Sequence, residues 1–253
     1  MAHRYYCPPE NISADQTALT FIGDEAAHLS RVLRAKPGQH LTAFDGAGMR
    51  YECTVDAVTP DAVACTVTAA APGDAEPDTE VTLYVGYPKS DKLELIIQKA
   101  VELGAVRIVP FFSRFCVTAP KKEEQKNVRY ARIALEAAKQ AGRDRIPEVA
   151  MPLTFNELLK ALPEYDAALF CYEATAGGPT VRDCCTAARA AATDRRPRIA
   201  IVTGPEGGFA EQEAAAAAAA GARIVGLGPR ILRCETAPLA ALAAVMTLTE
   251  NLE

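Results

Sequence analysis

The feature that most constrains the fold is a rhythm that starts near residue 81. Short runs that are apolar on both faces (81–86, 106–110, 167–172, 198–203 and 223–227) alternate with longer stretches of helical spacing. A strand without a polar face must be covered on both sides, and strands that alternate with helices pair in parallel. The helical stretches are Lys92 to Leu103, closed by Gly104, then Lys126 to Ala141, closed by Gly142, then Glu211 to Ala220 and Pro238 to Asn251. The run Ala214 to Ala220 reads as one small-faced helix, since Ala is the best helix former. On the helix after residue 92, Glu94, Gln98 and Glu102 share one face and suit pairing with Lys99 or Arg132.

The first seventy residues follow a different rhythm. Leu41 to Phe44, Met49 to Val55 and Ala62 to Val67 read as strands separated by Pro37-Gly38 and Asp45-Gly46 turns. Ala69 to Asp78 reads as a linker. The expected organisation is a small β-barrel over residues 1–72 and an α/β domain over 73–253. A length of 253 residues supports full cores for both.

Charge and cysteine usage exclude several classes. The net charge of −5 argues against coating nucleic acid by charge alone, yet nine basic residues face four acidic ones between Arg114 and Arg145. The eight cysteines form no C-x-x-C pair and have no histidine cluster beside them, so no metal is expected. No apolar run is long enough to span a bilayer and the start has no signal-like core, which predicts a reduced, cytoplasmic protein.

Two loops carry the chemistry. Thr203-Gly204-Pro205-Glu206-Gly207-Gly208 follows a buried strand and precedes a helix, which leaves backbone amides at the strand's C-terminal edge. It matches neither the dinucleotide fingerprint nor the phosphate-binding P-loop. The second loop, Gly226 to Pro238, must turn sharply at Gly228-Pro229, because proline has no amide to donate. It enters a helix at Glu235-Thr236-Ala237-Pro238, where Thr236 or Glu235 is placed to satisfy the first free amides. Loops at the ends of successive strands converge on one crevice. Arg233 and Glu235 suit such an edge, or a solvated salt bridge; Arg230 suits the surface equally. Gln140 and Arg143 end a helix, where arginine suits the dipole or contacts a phosphate or base. His28, Arg31 and Arg34 form a short basic face. There is no G-x-S-x-G motif, and the histidines all lie before residue 41, which disfavours a Ser-His-Asp hydrolase.

These segments together resemble the 16S ribosomal RNA uracil-N3 methyltransferase family of the knotted SPOUT superfamily. The resemblance rests on His28 to Arg34 with Asp45-Gly46, Ile97 to Gly104, Glu136 to Arg143, Gly204 to Gly208 and Leu227 to Ala237. It implies a PUA-like RNA-binding β-barrel followed by an α/β trefoil-knot methyltransferase domain, an exception to unknotted chains. It implies S-adenosylmethionine held by Thr203, Gly204, Pro205, Glu206, Gly207, Gly208, Leu227, Gly228, Ile231, Leu232, Arg233, Thr236 and Ala237. It further implies a homodimer, with the 238–251 helix in its interface, and 16S rRNA or the assembled small ribosomal subunit as partner.

Methylation at uracil N3 requires loss of the N3 proton. Arg233 or Arg143 is the candidate cation for the uracil anion, and Glu235 or Glu206 the candidate base. Arg4, His28, Arg31, Arg34, Arg114, Arg129, Arg132, Gln140 and Arg143 are the candidate RNA contacts. One departure from the family pattern is Ala210, where serine usually caps the helix; Glu213 remains, so half a capping box survives. A ribose 2′-O-methyltransferase of the same superfamily and a non-catalytic RNA-binding factor are the rival readings.

Overall fold

The computed structural model describes residues 4–89, 91–116, 123–173 and 177–252. Its chain divides into two compact units, one of residues Met1–Glu76 with Ala138–Ile146, the other of Pro77–Ala137 with Pro147–Glu253.

The first unit is built on five strands: β1 (Arg4–Tyr6), β2 (Ala18–Ile22), β3 (His40–Phe44), β4 (Met49–Val58) and β5 (Ala62–Pro72). They lie in the order β1-β3-β4-β5-β2, antiparallel except for β1 beside β3. Tyr51, Cys53 and Val55 alternate inward from β4 and join Tyr5, Phe21, Leu41 and Val63 in one core. A short helix, α1 (Gly23–Ala27), runs into a π-helical turn at His28–Val32 that buries Leu29. At the β3–β4 turn, Asp45 Oδ1 accepts from the amides of Ala47, Gly48 and Met49 at 2.7, 3.0 and 3.0 Å. The turn signal read at Asp45-Gly46 is thus an aspartate-capped turn.

The structure corrects the linker. Ala69, Ala70 and Ala71 are not connecting chain but the second half of β5, paired with Glu52, Tyr51 and Arg50. β4 is ten residues long and offers an unfilled ladder, which outweighs alanine's weak strand preference.

The second unit holds β6 (Glu80–Gly86), β7 (Arg107–Phe112), β8 (Glu148–Val149), β9 (Leu153–Thr154), β10 (Ala167–Cys171), β11 (Arg198–Thr203) and β12 (Arg223–Val225). All pairings in this sheet are parallel, in the order β12-β10-β11-β6-β7-β8, with β9 also on β7. Six helices accompany it: α2 (Lys92–Glu102), α3 (Glu123–Ala141), α4 (Phe155–Ala161), α5 (Val181–Ala191), α6 (Glu211–Ala219) and α7 (Thr236–Leu248). The last residues of α3 belong to the first unit.

Tyr84, Phe111, Phe170 and Val202 pack on one face of the sheet with Leu158 of α4 and with Ala214 and Ala217 of α6. The alanine run is therefore a low-profile helix that lies close to the sheet. On the other face α7 meets β6 and β11 and is flanked by α2 and α5. Neighbouring strands β6 and β11 thus send their following helices, α2 and α6, to opposite faces. A crevice opens beyond the strand ends at such a switch point. Among the described residues, no helix is long and apolar enough to cross a membrane, and no His/Cys/Asp/Glu group is arranged to hold a metal.

Candidate active site

At the switch point β11 ends in buried Thr203, whose hydroxyl donates to the Tyr84 carbonyl at 3.5 Å. The loop that follows packs against the end of β6. A Cβ on Gly86 would lie 2.5 Å from both the Cδ and the backbone nitrogen of Pro205, so only glycine permits this approach. Gly208 turns the chain at φ +66°, with its amide donating to the Pro205 carbonyl at 2.9 Å. Phe209 then anchors the loop, its ring centroid 4.2 Å from that of Phe170.

The second loop leaves β12 through Gly228, at φ +99° with open space where a Cβ would stand. Ile231 is 87% exposed. The amides of Thr236 and Ala237 donate to the Arg233 carbonyl at 2.8 and 2.9 Å. Neither Glu235 nor Thr236 caps α7 with its side chain, which corrects the sequence expectation. The Glu235 carboxylate turns instead toward Lys92.

Lys92, at the start of α2, joins the two loops. Its Nζ lies 3.1 Å from Glu206 Oε1 and 3.2 Å from Glu235 Oε2, and donates to Cys234 Sγ at 3.5 Å. Glu206 also accepts from the Lys89 amide at 3.1 Å, and the Cys234 thiol donates to Glu235 at 3.2 Å. Burial pushes the Glu206 carboxyl up, but its own backbone amide, Lys92 and the Lys89 amide outweigh that and hold it below the usual value. Glu235 is likewise lowered, by its backbone amide first, then by Cys234 and Lys92. The ammonium of Lys92 is raised, chiefly by Glu206. Burial, reinforced by Glu235, pushes the Cys234 thiol up to about 12. At neutral pH the cluster therefore holds two carboxylates, one ammonium and a neutral thiol. Sequence reading placed Lys92 only as a helix start. The signal available was a cation in a first turn, where the helix dipole disfavours it.

Beside the second loop is a cleft of about 410 Å³, lined by Glu173, by Gly177 to Thr180, and by Gly226 and Gly228 to Ile231. Of the expected cofactor residues it includes Gly228 and Ile231; the 204–208 loop does not line it. Glu173 connects the two, with Oε1 3.2 Å from where a Cβ on Gly208 would stand. Glu173, Pro179 and Thr180 were not singled out from sequence. Arg233 is exposed, and among the described residues no carboxylate pairs with it.

The expected RNA contacts divide into two groups. Arg143, proposed both as an RNA contact and as a catalytic cation, is 3% exposed and donates to Glu76 Oε2 at 2.6 Å inside the first unit. Arg4 donates to the Gly142 carbonyl and to Asp144. These two arginines are committed to internal ion pairs. His28, Arg31, Arg34, Arg114, Arg129, Arg132 and Gln140 are exposed. Arg31 lies 3.8 Å from Asp61, Arg114 Nη1 donates to Gln212, and Arg129 pairs with Glu94 at 2.8 Å. Lys121 and Lys122, counted in the basic stretch, lie outside the described residues. The Glu102 carboxylate pairs with Lys99 at 2.7 Å, one of the partners expected for that face.

A parallel α/β unit with a backbone-lined crevice at its switch point has the architecture of a cofactor-binding enzyme. Residues 75–246 match the model of an RNA methyltransferase domain, and residues 21–68 that of an RNA methyltransferase PUA domain. The chain belongs to the RNA methyltransferase family. A Bacillus subtilis protein named Ribosomal RNA small subunit methyltransferase E is 35% identical over 91% of this chain and 90% of its own length. A relative of the same name from Synechocystis is 32% identical over 99% of this chain and 79% of its own. Among solved structures, a Ribosomal RNA small subunit methyltransferase E from Neisseria gonorrhoeae bound to S-adenosyl methionine is 30% identical. It superposes with a TM-score of 0.80 over 98% of both chains. A methyltransferase from Legionella pneumophila in complex with the same cofactor is 26% identical, with a TM-score of 0.82 over 98% of both chains.

Proposed function

We propose that this protein methylates N3 of a uridine in 16S rRNA, in the cytoplasm, with S-adenosylmethionine as methyl donor. The observation that carries the reading is the convergence of the 204–208 and 226–237 loops at the β6–β11 switch point, in a chain similar to cofactor-bound methyltransferases. The residues present fit such a group. Gly86 and Gly204 bring backbone close to backbone, Gly228 leaves open space on a left-handed turn, and a polar cleft adjoins it. When bound, the cofactor supplies an electrophilic methyl on a sulfonium centre.

What the chain contributes is positioning and charge. Thr203, Gly204 to Gly208, Leu227, Gly228, Ile231, Leu232, Arg233, Thr236 and Ala237 form the cofactor site in this reading. Arg233, exposed and without a carboxylate partner among the described residues, stabilises the uracil anion. The N3 proton passes to Glu235, to Glu206 or to water. Both carboxylates are lowered in pKa, so they are ionised and able to accept, but they are weak bases. Uracil N3 lies inside a base pair in a helix, so the target base is unpaired or flipped out. Residues 1–72 bind RNA, with His28, Arg31 and Arg34 on the exposed surface of that unit, and Arg114, Arg129, Arg132 and Gln140 supply further contacts. The C-terminal loops thread into the trefoil knot, and two chains pair through the α7 region. The substrate is the rRNA or the assembled small subunit.

Calorimetric titration with S-adenosylmethionine, repeated after Gly204→Trp and Gly228→Trp, tests the site. Binding that both changes abolish supports it; absence of binding by the intact protein moves the reading to an RNA-binding factor. Mass spectrometry of nucleosides from treated rRNA then separates N3-methyluridine from a ribose 2′-O-methyl product.

A further inference from the structure

Three chain segments meet on one nitrogen at the end of β6. Glu206 comes from the loop after β11, Glu235 from the entry to α7, and Lys92 from the first turn of α2. Their side chains are 26%, 23% and 31% accessible, neither sealed in the core nor fully hydrated. A lysine in a helix's first turn works against the helix dipole, so its placement needs local compensation. Here two carboxylates give it. Without the ammonium those carboxylates would face each other with no cation between them, and like charges at such range repel. The Cys234 thiol closes the ring, accepting from Lys92 and donating to Glu235. The Lys89 amide ties Glu206 to the same β6–α2 connection.

We propose that Lys92 is a positioning residue that clips the 204–208 loop and the 233–236 turn to the end of β6 and so sets the shape of the cofactor crevice. Neither loop is joined to the other by a backbone hydrogen bond among the described residues, so the two-carboxylate clip is their polar link. Its effect on methyl-donor binding rests on the reading of this crevice as the cofactor site. Its effect on the loops themselves does not.

The experiment therefore has two readouts on the full-length protein. The first is hydrogen exchange at the amides of Gly207, Gly208, Thr236 and Ala237 without cofactor, in the wild type, Lys92→Arg and Lys92→Met. Faster exchange at both loops in Lys92→Met, restored by Lys92→Arg, is the expected result. The second is S-adenosylmethionine affinity, expected to fall about tenfold in Lys92→Met and to recover in Lys92→Arg, as for loss of a charge-assisted contact. A cycle of Glu206→Gln and Glu235→Gln should be non-additive, because both act through one cation, and it stands in if Lys92→Met does not fold. Unchanged exchange in Lys92→Met, or strictly additive glutamine variants, would overturn the clip. Failure of the wild type to bind the cofactor would defeat the functional reading alone and leave the exchange result to decide on Lys92.

Discussion

Each unit carries a cluster of opposite charges, and the two clusters are built on opposite terms. In the first unit, Arg143 pairs with Glu76 and Asp144 with Arg4 and Arg50; at its centre the side chains of Arg143, Glu76 and Asp144 are only 4%, 7% and 0% accessible, while Arg4 and Arg50 at its rim keep 21% and 22%. In the second, Lys92 holds Glu206 and Glu235 where water still reaches all three. A sealed cluster is costly to break, because the partner left behind is a buried charge. An open cluster is worth little in stability and can yield to a ligand. The first suits fastening the 138–146 segment to its own unit, and the second suits the two loops proposed to admit the cofactor.

The sharpest way to break this contrast is Glu76→Ala. It removes the buried carboxylate to which Arg143 Nη2 donates at 2.6 Å and which accepts from the amides of Asp144 and Arg145 at 3.2 and 3.1 Å. The expected loss is about 3–5 kcal/mol in chemical denaturation. A loss no larger than that of Lys92→Met would erase the distinction.

Next in size is Gly86→Ala. The new methyl would collide with the Pro205 backbone nitrogen, which cannot swing away as a side chain can. Overpacking of this kind costs roughly 1–3 kcal/mol, and displacement of the 204–208 loop should weaken cofactor binding more than tenfold. Wild-type affinity in this variant would show that the close approach of β6 and the loop is incidental to binding.

Acid titration separates the clusters further. Glu206 and Glu235 have folded-state pKa values below the ordinary carboxylate range. Their contribution is complete above the unfolded glutamate value, about 4.3, and is lost as pH falls through the lowered folded values. The cluster consists of Lys92, Glu206, Glu235 and the Cys234 thiol, and only the carboxylates titrate in that window. Loop protection factors, the exchange rates relative to an unstructured chain at the same pH, should therefore be flat from neutral pH to about pH 5 and fall as pH drops through the lowered folded values of the two carboxylates. Lys92→Met should flatten this acid response; a response that persists in the variant would place its origin elsewhere.

What could be read from sequence followed from how local the physics is. The strands at 80–86 and 198–203 were found to within a residue, because burial on both faces writes a continuous apolar run. Turn chemistry at Asp45-Gly46 and the two glycine loops was equally local. The burial of Arg143 against Glu76 was not legible, because Glu76 lies 67 residues away and leaves no trace beside it. The role of Lys92 was hidden for the same reason, since Glu206 is 114 residues distant and meets it only where two neighbouring strands send their helices to opposite faces. Alanines 69–71 looked like linker because their strand pairing depends on β4 and not on their own preference.

The smallest effect concerns the start of α6, and the molecule supplies its own controls. Thr154 and Thr180 begin α4 and α5 with complete capping boxes: each hydroxyl accepts from the amide three residues on, at 3.3 and 3.2 Å, and each amide donates back to that residue's carboxylate at 2.8 Å. Ala210 has the same extended backbone, φ −72° and ψ 151° against −74° and 160° at Thr154. Its amide donates to Glu213 Oε2 at 2.9 Å, so the return half of the box is in place. Only the hydroxyl is missing, and the Glu213 amide turns to the Ala210 carbonyl at 2.9 Å instead. Ala210→Ser fills a gap whose geometry already exists, and should add about 1 kcal/mol, or roughly 2–4 °C in melting temperature for a unit of this size. Cofactor affinity should not change, because Glu213 already holds the Arg114 amide at 2.9 Å and α6 does not depend on the cap to keep its place. A gain in affinity without a gain in stability would instead mean that the helix start moves when the cofactor binds.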